Sequence, residues 1–87
     1  MPPRIEYKAS VSKDLRKLGK RDALRVLSRI ERTLKDEPSP GTPLSGDFAG
    51  LRRLRVGDYR AIFAPTDEGY LILRIAHRRD VYRRGRP

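Results

Sequence analysis

The chain reads as an α+β domain of order β-α-α-β-β-β, with two N-terminal helices packed on one face of a small, mainly antiparallel sheet. Three observations predict it. Apolar residues recur at helical spacing from Val11 to Leu34. Three strand-period runs follow between Leu51 and His77, punctuated by Gly57-Asp58 and by Thr66-Asp67-Glu68-Gly69. The length, 87 residues, suits one domain and not two, so residues 1–87 are read as a single unit whose last residues, 84–87, form a frayed tail.

Each element has its own signal. Arg4-Ile5-Glu6-Tyr7-Lys8 alternates, with Ile5 and Tyr7 on one side, and reads as a short strand. Ser10 or Ser12 can cap a helix carrying Val11, Leu15 and Leu18. Gly19 bends or breaks it. Arg21 to about Lys35 forms a second helix with Ala23, Leu24, Leu27, Ile30 and Leu34 as its apolar stripe. The charges on its other faces, Arg25, Arg29, Glu31, Arg32 and Lys35, read as a solvated surface. Asp36 to Phe48 is a loop, since DEPSPGTPLSG holds three prolines and two glycines. A second strand spans Leu51–Val56 and a third Tyr59–Ala64, joined by a two-residue turn in which Gly57 can adopt positive φ. Pro65 ends the third strand, and the fourth runs from Tyr70 to about His77.

Composition narrows the function. The net charge is +10, from 21 Lys+Arg against 11 Asp+Glu, and a compact domain of this charge attracts polyanions, nucleic acid first among them. The lysines all lie at or before Lys35, whereas ten arginines and no lysine follow Leu51. Arginine grips phosphate with a planar fork, lysine only as a point charge. With no cysteine, disulfides, thiolate metal sites and a cysteine nucleophile are excluded. No apolar run approaches the ~20 residues that span a bilayer, and MPPRIEYKAS lacks the apolar centre of a secretory signal. The expectation is a cytoplasmic protein with no membrane association.

Strand parity locates the arginines. Leu54 and Val56 share one face, so Arg53 and Arg55 share the other. In the fourth strand Leu71, Leu73 and Ile75 are expected on the helix-covered face, with Arg74, Ala76 and Arg78 opposite. The third strand is less decisive, since Tyr59, Ala61 and Phe63 alternate with Arg60, Ile62 and Ala64 and either set suits the core. Placing Arg60 with the other arginines turns Tyr59 and Phe63 inward. A face of up to five arginines repels itself unless a polyanion or an acidic protein segment neutralises it. His77, the one histidine, adjoins Arg78, Arg79 and Asp80 at the end of the strand on this suspected face, and Tyr82 follows. Either could move a proton. No spacing of histidines and carboxylates suits a catalytic metal, and neither GxGxxG nor GxxxxGK[ST] is present. The reaction that suits a basic face without a metal is RNA cleavage by the neighbouring 2′-hydroxyl. There the nucleophile arrives with the substrate, and the protein orients it and stabilises charge.

LRRLRVGDYRAIFAP (Leu51–Pro65), followed by ILRIAHRRDVYR (Ile72–Arg83), resembles the RelE/ParE toxin superfamily and, within it, the RelE branch. The paired "RxRxGxYR" hairpin and "HRRxxY" ending carry the resemblance, which covers essentially the whole chain. It implies the RelE-like microbial RNase fold and the toxin of a type II toxin–antitoxin pair, an endoribonuclease that cuts mRNA in the ribosomal A site. It also implies a RelB-like antitoxin, acidic and helical, and no cofactor. The pattern's two basic residues fall on Arg53 and Arg55, its strand-three arginine on Arg60, its late arginine on Arg78 and its terminal tyrosine on Tyr82. Arg52, Arg74, Arg79 and Arg83 are expected to contact nucleic acid beside them. The pattern has lysines where this chain has Arg53 and Arg55, and an arginine can hardly act as a base. Some RelE relatives carry a histidine nearby, which turns attention to His77. The same fold also serves ParE-like toxins that inhibit DNA gyrase. These generally lack the full set of Arg53, Arg55, His77, Arg78 and Tyr82. An inert RNA- or partner-binding homologue is the third reading.

Overall fold

The structure, a computed structural model, describes residues 2–81. Arg4–Tyr7 forms β1, Val11–Leu18 α1, Lys20–Asp36 α2, Thr42–Pro43 the two-residue strand β2, Arg52–Val56 β3, Tyr59–Pro65 β4 and Gly69–His77 β5. The expected order is present with two short additions, β2 and a 3-10 turn over Gly46–Phe48. The proline-rich segment contributes β2, where Thr42 pairs with Arg53 and Pro43 with Arg52. Local propensity does not announce such a strand. The Arg52 side chain holds it, donating to the carbonyls of Pro40 at 2.7 Å and Gly41 at 3.0 Å.

The strands lie in the order β1-β5-β4-β3-β2. β2 through β5 pair antiparallel, while β1 runs parallel to β5, from Arg4 opposite Gly69 to Tyr7 opposite Ile72. Gly69 is required there: a Cβ on it would sit 2.0 Å from the Arg4 carbonyl oxygen. β1 stops at Tyr7, so β5 continues beyond it with an unpaired edge. Asp14 of α1 meets that edge, its Oδ2 accepting the Ile75 N–H at 3.0 Å. One helix is thereby tied to the sheet by a charged acceptor, the stronger kind of hydrogen bond.

The core lies between helices and sheet. Val26, Ile30 and Leu34, four residues apart on α2, pack with Val11, Val56, Ala61, Phe63, Ile72 and Ile75. Two expectations change here. Leu24 is 60% exposed, and Val26 occupies the centre of the stripe in its place, because α2 packs against β3 as well as α1. Leu71 and Leu73 do not continue the face of Ile75. Ala61 pairs with Ile75 and Ile62 with Arg74, but Phe63 pairs with Ile72. β5 thus holds one extra residue, a bulge that shifts parity. Tyr70 and Ile72 therefore join Ile75 inward, while Leu71 pairs with Ala64. At the helix start, Ser10 makes no side-chain cap, and the Ser12 hydroxyl donates to the Ala9 carbonyl instead. Among the described residues no helix is long and apolar enough to cross a membrane.

Candidate nucleic-acid interface

The face of the sheet away from the helices is built from β3, β4 and β5. Directly opposed residues of antiparallel strands project to the same side. One row is Arg55, Arg60 and Ala76; the next is Arg53, Ile62 and Arg74. Ala76 leaves room beside Arg60. Ile62 is fully buried and stands apart from the helix-side cluster. The aliphatic stems of Arg53 and Arg74 flank it, a common use of a long basic side chain.

Two turns bring Arg78 to this row. Gly57, at φ 59°, takes the first central position of the tight turn between β3 and β4, which a side chain would strain. The next residue, Asp58, accepts the Arg78 N–H on its carbonyl at 2.7 Å. The end of β5 is thus laced to the hairpin that carries Arg60. The Arg60 guanidinium is itself oriented by the chain, with Nη1 donating to the carbonyls of Gly57 at 2.9 Å and Tyr59 at 3.1 Å.

The electrostatics are those of crowded like charges. Burial pushes the Arg60 guanidinium below its ordinary value, and Arg55, Arg53 and Arg78 push it further, against the weaker pull of Asp58. Arginine remains a cation at any working pH, so Arg60 keeps its charge although it is desolvated and has three like charges for neighbours. The ion pairs among the described residues lie elsewhere: Arg4 with Glu6 and Glu68, and Arg25 with Asp22. The buried Nε atoms of Arg53 and Arg74 meet no acceptor among the described residues. Such groups cost stability. Arg74 does anchor through Nη2, which donates to the Asp80 carbonyl at 2.8 Å.

Other expected site residues fall outside this cluster. Arg52 shares parity with Leu54 and Val56, and it spends its guanidinium on Pro40, Gly41 and the Ser39 hydroxyl. That parity was visible in the sequence. His77 stands opposite Tyr59, edge-on to its ring at 5.8 Å, on the helix-covered face. Its Nδ1 accepts the Arg79 N–H at 3.2 Å, and its carbonyl accepts the N–H groups of Asp80 and Val81. It therefore organises the turn that presents Arg78. Arg79 is exposed in that turn. Tyr82 and Arg83 lie outside the described residues.

Behind the hairpin, the Tyr59 hydroxyl donates to Asp22 of α2 at 3.3 Å. Burial first, then Asp22, raises its pKa, so it stays protonated. A second phenol, Tyr7, donates to Glu31 and is likewise raised, by burial and then by that carboxylate. Among the described residues no group of three or more histidines and carboxylates is placed to hold a metal. What the arginine face can do is bind and stabilise concentrated negative charge, with the Arg60 and Arg74 guanidiniums oriented by backbone carbonyls.

Comparison with known proteins agrees in sequence and in shape. The family described as the ParE toxin of the type II toxin–antitoxin system parDE matches residues 5–82. Toxin RelG of Mycobacterium tuberculosis is 36% identical over 87 residues, spanning 97% of this chain and 100% of the relative. Toxin RelE of the same organism is 33% identical over 77 residues, spanning 87% and 78%. Among solved structures, the toxin–antitoxin complex RelBE2 from M. tuberculosis superposes with a TM-score of 0.78 at 31% identity, covering 88% of this chain and 92% of that one. The DinJ-YafQ toxin–antitoxin complex from E. coli gives 0.72 at 24% identity, covering 94% and 99%, a likeness of fold.

Proposed function

The chain belongs to the RelE/ParE superfamily of toxins of type II toxin–antitoxin systems, and from that premise we propose that it is a ribosome-dependent endoribonuclease cutting mRNA in the A site. The observation that carries the reading is the meeting of Arg53, Arg55, Arg60 and Arg78 on one sheet face around a guanidinium whose neighbours are themselves cations.

In this reading the substrate's 2′-hydroxyl attacks the adjacent phosphorus. The bond to the 5′-oxygen breaks, leaving a 2′,3′-cyclic phosphate and a 5′-hydroxyl. The non-bridging oxygens gain charge at the transition state, and the arginines stabilise it, Arg60 from a position that the Gly57 and Tyr59 carbonyls already set. Their own repulsion falls as the anion enters, so part of the binding energy is relief already stored in the apo face. The ribosome supplies the in-line arrangement that an open face does not impose. Arg78 is held by the Asp58 carbonyl and by the turn that His77 organises, which makes His77 a positioning residue. Tyr82 is the proton-transfer candidate, by resemblance alone. No metal is needed, because the nucleophile belongs to the substrate and the cations belong to the chain. The cognate antitoxin is an acidic, helical, RelB-like partner that neutralises the arginine face, as expected of a relative of the toxin in the RelBE2 complex. A chain that acts on translating ribosomes works in the cytoplasm.

The match to the ParE toxin family supports a second reading, inhibition of DNA gyrase by binding. Primer extension on translating 70S ribosomes separates the two, with Arg78→Ala as control and a gyrase supercoiling assay in parallel. Discrete A-site cuts absent from the control support the first reading. Intact mRNA with inhibited supercoiling replaces it with the second.

A further inference from the structure

A second basic surface lies on α2, away from the sheet face. Arg21, Arg25, Arg29 and Arg32 fall within an arc of about 80° when each residue advances the helix by about 100°. At about 1.5 Å per residue they extend over roughly 16 Å. All four are exposed. Arg25 pairs with Asp22 at 3.5 Å, and it is the one of the four with an ion-pair partner among the described residues. Opposite arcs of the helix carry Val26, Ile30 and Leu34 into the core, so folding fixes which way the arginines face.

The stripe borders a groove. Arg25, Ser28, Arg29 and Arg32 line one wall and Val56 and Gly57 the other, around about 330 Å³. Gly57 is also the residue whose carbonyl holds the Arg60 guanidinium. The hairpin turn is therefore a corner shared by two basic surfaces, with the sheet arginines on one side and the helix arginines on the other. One extended polyanion can touch both.

We propose that the α2 stripe is a docking track for the phosphate backbone of structured RNA, separate from the arginine cluster and continuous with it around Gly57. The chemistry of the groove favours RNA over an acidic protein. Backbone recognition uses Arg, Ser hydroxyls and main-chain groups, which is the composition found here. Protein interfaces are centred on buried aromatic or aliphatic anchors, and the groove has none: Val56 is already spent on the core. The track reads no sequence. Its role is to fix the orientation of the domain on a large RNA while the sheet arginines address the scissile strand.

The test is equilibrium binding of the full chain to a short RNA duplex of mixed sequence, measured across a salt series. The variants are R21Q/R25Q/R29Q/R32Q, the pair R29Q/R32Q and the sheet pair R55Q/R78Q. Each lost phosphate contact lowers the slope of log K against log salt by roughly 0.9. The quadruple variant should lose about 2 or more in slope and at least tenfold in affinity, the helix pair about half of that slope change, with thermal stability kept. Slopes unchanged in both helix variants, with the whole salt dependence carried by R55Q/R78Q, would overturn the proposal. Unchanged RNA binding with lost antitoxin binding would also overturn it, making the stripe a protein interface. Should the quadruple variant not fold, the helix pair decides. The readout is binding, so absence of cleavage would count against the proposed function and leave this inference standing.

Discussion

Arg55 and Arg60 stand directly opposite each other across β3 and β4, two guanidiniums where a stable sheet would place a complementary pair. Like charges so placed are destabilising, by an amount of order 0.2–1 kcal/mol. Salt shortens the reach of such repulsion, from about 30 Å at 0.01 M to about 3 Å at 1 M. The melting temperature should therefore rise with salt. Arg55→Gln should raise stability at low salt by up to about 1 kcal/mol, flatten the salt dependence and lower RNA cleavage. Thermal melts over a salt series check the first two, and cleavage on ribosomes the third. A variant less stable than the parent at low salt would remove the repulsion argument.

Arg52 is expected to behave differently from its neighbours. Its hydrogen bonds to Pro40 and Gly41 hold β2 and the preceding loop. Arg52→Ala should cost about 2 kcal/mol, the usual range for hydrogen bonds to a charged group. RNA affinity of the folded fraction should be unchanged. Denaturant titration and binding at low temperature distinguish this from an RNA contact, which would lower affinity while sparing stability.

His77 offers a rescue experiment. Asparagine can present an acceptor near the place of Nδ1, where the Arg79 N–H is received, and leucine cannot. His77→Asn should keep cleavage within about threefold, a difference below ~1 kcal/mol. His77→Leu should lose at least tenfold through a displaced Arg78. Equal loss in both, with disappearance of a pH limb near the imidazole range, would make His77 a base.

Tyr7 and Tyr59 link stability to alkaline pH. Both phenols have raised pKa values when folded, against an ordinary value near 10. The native state therefore holds protons that the unfolded chain has released. Their contribution is complete below about pH 10 and falls as pH rises through the folded values. Tyr7→Phe and Tyr59→Phe should each make the alkaline decline shallower. Urea melts at a series of pH values measure it, and an unchanged slope in both would contradict the assignment.

Gly69 tests the parallel pairing. A Cβ there would strike the Arg4 backbone at 2.0 Å, and backbone cannot rotate away. Gly69→Ala should cost about 1–3 kcal/mol, as overpacking does. It should also remove amide protection in β1 while leaving β3–β4 protected. Hydrogen exchange reads this segment by segment.

The element order, the helix-covered sheet and the arginine character of the other face follow from periodicity and turn residues, which are local properties of the chain. Arg53 and Arg55 could be placed from parity with Leu54 and Val56. For Arg60 either face of its strand suited the core, and the uninterrupted β3–β4 register, with Arg55 opposite Arg60, decided it. Tertiary structure decided the rest. The β5 bulge takes Leu71 and Leu73 off the inward face and brings Tyr70 and Ile72 onto it, and an extra residue in a ladder leaves no mark on a pattern of period two. Arg52 was already off the cluster by parity with Leu54 and Val56, but its partner, the Pro40 carbonyl, and the seating of His77 against Tyr59 came from the fold. Arg78, which parity also put on this face, lies just past the end of β5, and the Asp58 carbonyl, twenty residues earlier, holds it there by its N–H. The arginine stripe of α2 was legible as charge but became a surface with a neighbour only when the hairpin turn came to rest against it. Sequence determines which side chains share a face of one element. Which faces meet is set by packing and by hydrogen bonds between residues far apart in the chain, and the candidate site is made of such meetings.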